Sequence, residues 1–145
     1  MMKDAMIRYG GRYLIAYVIA SILVAVVSLI LAGMSINVGT GGGAAIAVAG
    51  ASFTLDRFIK DKDRLPTSGE YWTLVVVTSA IGVVVEAIKL ALFLNLYPAL
   101  YTGNEIWAFS IVLAAVLIFA MNMFFYSKFM GRSYLKRQNA RRGDR

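Results

Sequence analysis

The stretch Trp72–Leu96, WTLVVVTSAIGVVVEAIKLALFLNL, constrains this chain most. Its 25 residues form a helix of about 37 Å, longer than the ~30 Å hydrocarbon core of a bilayer. Glu86 and Lys89 lie inside it. Ionisable residues at membrane depth are costly and call for a partner or a function. Composition agrees with a membrane setting: 59% of the 145 residues are hydrophobic, against the roughly 45–50% of a soluble domain, and the mean hydropathy is +0.68.

Three further segments read as spans. Tyr13–Met34 is 22 residues without a charge, too long for the ~7–15-residue apolar core of a signal peptide, and so reads as a retained anchor. The second, Ile36–Leu55, reaches 20 residues by including part of the glycine-rich connection Ser35–Gly43. Trp107–Tyr126 is the fourth. Together they predict an all-α, antiparallel four-helix transmembrane bundle forming a single domain, followed by a basic tail at 127–145 that reads as partly disordered.

Lys and Arg are distributed unevenly. Three precede the first span, four lie between the second and third, seven follow the fourth, and none lies in the other two connections. The positive-inside rule therefore predicts both termini and the Asp56–Glu70 segment on the cytoplasmic side. That segment carries four acids and four bases and reads as a solvated loop. At its end Thr67-Ser68-Gly69-Glu70 has the spacing of a capping box, which starts the third helix, and Tyr71 and Trp72 fall where an interfacial aromatic belt belongs.

The run Arg64-x-Pro66-Thr67-x-x-Glu70-x-Trp72, the glycines of Gly39–Gly43 and the Asp56-Arg57-Phe58 triplet resemble a family of small four-span bacterial inner-membrane proteins. The resemblance implies the four-span layout and the bacterial cytoplasmic membrane. It implies no activity.

There is no Cys and no His, so disulfides, thiol nucleophiles, thiolate or imidazole metal sites and imidazole-based triads are excluded. Neither a cofactor nor a catalytic set is expected. The glycine cluster GTGGG lacks the Lys-Ser/Thr pair of a phosphate loop. A net charge of +7 points to anionic lipid headgroups, met by the tail residues Lys128, Arg132, Lys136, Arg137, Arg141 and Arg142. No groove-reading or base-stacking module accompanies it, so nucleic acid is not the expected partner.

Helix packing is expected at small and amide residues that share faces: Ser21 and Ser28 on the first span, Gly43, Ala47 and Gly50 on the second, Ser79 and Gly82 on the third, Asn122 on the fourth. Glu86 and Lys89 are spaced i, i+3, and the face they share with Ser79 and Gly82 is expected to point into the bundle as a packing or docking device. The functional expectation is thus a non-enzymatic accessory or interaction subunit that meets other membrane subunits or itself. A small proton-coupled or cation transporter using Glu86 is the alternative. Small multidrug transporters match in size but rely on a glutamate in the first span, which this chain lacks.

Overall fold

The computed structural model describes residues 2–33, 41–96 and 104–143. Within them all regular structure is helix: α1 (Met2–Gly33), α2 (Gly41–Lys62), α3 (Ser68–Leu96), α4 (Asn104–Phe125) and α5 (Lys128–Gly143). Three helices are long and apolar enough to cross a membrane, α1 over Ile7–Ser28, α3 over Ser68–Leu96 and α4 over Trp107–Phe125. The helix α2 differs: its apolar part, Gly41–Leu55, is about 22 Å long, short of a bilayer core. The residues 36–40 that the predicted second span borrows lie outside the described ones, as do residues 97–103 between the third and fourth predicted spans.

Each of α1 and α4 packs against both α2 and α3, so the four helices form a closed ring in the order α1, α2, α4, α3. Its core holds Tyr9, Tyr13 and Tyr17 of α1, Ile46, Ala47, Ala51, Leu55, Phe58 and Ile59 of α2, Leu74 and Val75 of α3, and Ile118 of α4. The outward faces are apolar, with Ile15, Ile22 and Leu23 of α1, Val84, Ile88 and Leu92 of α3, and Val112 and Val116 of α4 all exposed. A helix apolar all round is at home in lipid, and none of these three shows a polar outer face.

Two expectations are corrected. The segment Asp56–Lys62 is helix, not loop: Leu55, Phe58 and Ile59 recur at i, i+3, i+4 and are buried, so α2 runs on past its apolar stretch and only Asp63–Thr67 connects to α3. Asp63 ends the helix in the left-handed region, φ 53°. The basic tail is also helix, since Met130, Tyr134 and Leu135 give α5 an apolar side that packs against α2 and α4.

The capping box at α3 is reciprocal. Thr67 N–H donates to Glu70 Oε2 at 2.9 Å and Glu70 N–H reaches Thr67 Oγ1 at 3.5 Å, while Arg64 grips both Glu70 oxygens at 2.7 and 2.8 Å.

Candidate functional site

The buried tyrosines Tyr9, Tyr13 and Tyr17 follow one another at i, i+4, i+8, so α1 presents them as a column about 6 Å apart along its axis. A phenol is apolar along its ring and polar at its tip, and a buried tip needs a partner. The three tips meet three different polar settings.

Tyr9 Oη donates to Asp61 Oδ2 of α2 at 3.3 Å, and its ring lies 5.2 Å from that of Phe58. Arg12 and Arg8 pair with the same Asp61 oxygen at 2.5 and 3.4 Å. Burial raises the carboxyl, but the Arg12 hydrogen bond and the charges of Arg12 and Arg8 outweigh it and hold Asp61 below the usual carboxylate value.

Tyr13 lies at mid-height between two glycines. A methyl group at Gly50 would stand 2.9 Å from its ring, and one at Gly82 would stand 3.4 Å from its hydroxyl and 3.0 Å from Ile118. Nearby, Asn122 of α4 donates from Nδ2 to Ser79 Oγ of α3 at 3.0 Å. The hydroxyls of Thr54 and Thr78 turn back onto their own helices, to the carbonyls of Gly50 and Leu74. Tyr13 Oη, Asn122 Oδ1 and Tyr126 Oη are buried without a hydrogen bond of proper geometry. A polar layer thus crosses the middle of an otherwise apolar bundle.

Tyr17 Oη donates to Glu86 Oε1 at 2.8 Å, and Lys89 Nζ donates to the same oxygen at 2.7 Å. The carboxylate is therefore held from α1 and from its own helix at once. Glu86 is 24% exposed and Lys89 41%, so the pair is set between the bundle interior and its lateral surface. Glu86 and Tyr17 form the polar floor of a cleft of about 260 Å³, whose walls are Gly43 and Ala47 of α2 and Ser110, Leu113 and Ala114 of α4.

The predicted packing residues separate into two groups. Ala47, Gly50, Ser79, Gly82 and Asn122 lie in the core. Gly43 does not: it is exposed, a Cβ there would meet nothing within 4 Å, and it borders the cleft instead of a neighbouring helix. Ser21, one turn beyond Tyr17, has a buried hydroxyl without a partner, and Ser28 is half-buried on the same side of α1. Lys128, Arg132, Lys136 and Arg137 are exposed along α5; the side chains of Arg141 and Arg142 lie outside the described ones. Sequence reasoning missed the tyrosine column, although its i, i+4, i+8 spacing across Tyr9, Tyr13 and Tyr17 is visible in the chain.

Among the described residues no group of three or more acids is placed to hold a metal. What it offers chemically is a hydrogen-bonded carboxylate at apolar depth, facing a cleft lined by small residues. No family model, curated protein or solved structure matches the chain.

Proposed function

We propose that this chain is a four-span bacterial inner-membrane protein with both termini in the cytoplasm, acting without catalysis as an accessory or interaction subunit. The observation that carries this reading is the state of Glu86. One of its oxygens already accepts from both Tyr17 and Lys89, which makes the carboxylate a lock between α1 and α3, while the carboxyl group still reaches the floor of a lateral cleft. Small residues at Gly43, Ala47, Ser110 and Ala114 allow another backbone to come close, and close approach is what associates helices in lipid. The occupant that fits is a transmembrane helix of a partner subunit, presenting a small residue and a hydrogen-bond donor to Glu86.

Purification from native membranes in mild detergent tests this, with Gly43→Leu as the probe. Among the described residues nothing stands within 4 Å of a Cβ at this position, which borders the cleft. The expected outcome is a partner, or a second copy, that co-elutes with the natural chain and is lost with G43L while the monomer stays folded. A monodisperse, partner-free species at native abundance removes the reading.

The tyrosine column favours a second reading, exchange of a proton or small cation through Glu86, because polar groups aligned inside a membrane bundle are a common setting for ion pathways. Flux into proteoliposomes that is abolished by Glu86→Gln supports it. Flux that is absent, or unchanged by E86Q, eliminates it.

A further inference from the structure

At the basic end of the bundle, a second cleft of about 300 Å³ lies between the start of α3 and the start of α5. Pro66, Ser68, Trp72, Ser127 and Lys128 line it. Its shape is fixed by two ties: Tyr71 Oη donates to the Met123 carbonyl at 3.1 Å, joining α3 to α4, and Leu65 presses on Gly131, where a Cβ would stand 2.8 Å away.

Four features of this cleft point to one kind of ligand. Lys128 brings a cation to its rim, and the first turn of α5 contains no acid. The Ser127 hydroxyl is buried without a hydrogen-bond partner, so it does not cap that turn, whose leading N–H groups favour an anion. No carboxylate lines the cleft, and Glu70, next in the chain to the lining residue Tyr71, is neutralised by the two-pronged Arg64 contact. Finally, Trp72 begins the apolar stretch of α3 while Tyr126 ends that of α4, so the cleft lies at the depth where headgroups meet acyl chains.

We propose that this cleft is a binding site for the phosphate of an anionic phospholipid. In it the Ser127 hydroxyl and the first amide groups of α5 donate to phosphate oxygens, Lys128 supplies the countercharge, and Trp72 and Pro66 flank the top of the acyl chain. The site is distinct from the Glu86 cleft and does not depend on the function proposed for it.

The test uses the two tryptophans. In a Trp107→Phe chain Trp72 is the sole reporter, and the protein is placed in phosphatidylcholine vesicles doped with either phosphatidylglycerol or phosphatidylcholine brominated near the top of the acyl chain. Brominated phosphatidylglycerol is expected to quench Trp72 with an apparent affinity about fivefold higher, the factor a basic residue at the surface typically provides. Lys128→Glu removes the preference, and Ser127→Ala, which leaves every charge in place, lowers it. Lys136→Glu with Arg137→Glu, on the same helix but away from the cleft, leaves it standing.

Equal quenching by the two lipids overturns the proposal, as does a preference untouched by both K128E and S127A. Loss of preference in the Lys136/Arg137 variant to the same extent as in K128E assigns the effect to diffuse attraction along α5 and also overturns it. Displacement of the brominated lipid by millimolar inorganic phosphate assigns the site to a soluble anion instead.

Discussion

Tyr13 has little free space around it, and that sets what the neighbouring glycines tolerate. A methyl group at Gly50 would stand 2.9 Å from the Tyr13 ring, which is itself fully buried and has no direction in which to retreat. Gly50→Ala is therefore expected to destabilise the protein by about 1–3 kcal/mol, the range for overpacking a core. Gly11→Ala, where a Cβ meets nothing within 4 Å, is the control: it is expected to be neutral, or to gain up to about 1 kcal/mol from helix propensity. Thermal unfolding in mild detergent measures both. Periodicity places Gly43, Ala47 and Gly50 on one face of α2, but it does not say what stands opposite. Opposite Gly50 is a tyrosine ring; beside Gly43 is a cleft. The same limitation hid the tyrosines, since an aromatic residue in an apolar run reads as filler until its hydroxyl has a destination.

At the scale of the element, α2 shows why the charged segment Asp56–Lys62 is helix. Read by composition it is a solvated loop; its buried Phe58 and Ile59 and its Asp61 contacts tie it to α1. The attachment is sensitive to pH in a definite direction. The carboxyl of Asp61 lies below its usual value in the folded protein, so its contribution is present in full above the unfolded value of about 3.9 and is lost as pH falls through the lower folded value. In acid titrations followed by unfolding midpoint, the natural chain should lose stability below about pH 4. Asp61→Asn should be less stable at neutral pH and show a shallower acid slope; an identical slope would sink the assignment. The α5 segment offers the same lesson, because basic residues dominate its composition while Met130, Tyr134 and Leu135 supply the face that holds it as a helix.

For the whole molecule, the proposed four-span arrangement requires α2 to cross the membrane together with the three helices apolar enough to do so alone. The ring packing of α2 between α1 and α4 places it alongside two of them, and four crossings bring both termini to one side. Reporter fusions decide it. A cytoplasmic reporter is expected to be active after Pro66 and an external one active after Pro98; external activity at Pro66 removes the second span. The sequence by itself determined that the chain is helical with segments long and apolar enough to cross a membrane, because hydrophobic length is a one-dimensional quantity. It also determined the start of α3, because a capping box is a contact between residues three apart. Only the tertiary structure decided which polar groups meet. Tyr17 and Glu86 are 69 residues apart in the chain, Tyr9 and Asp61 are 52 apart, and such pairings arise from the order in which the helices close their ring.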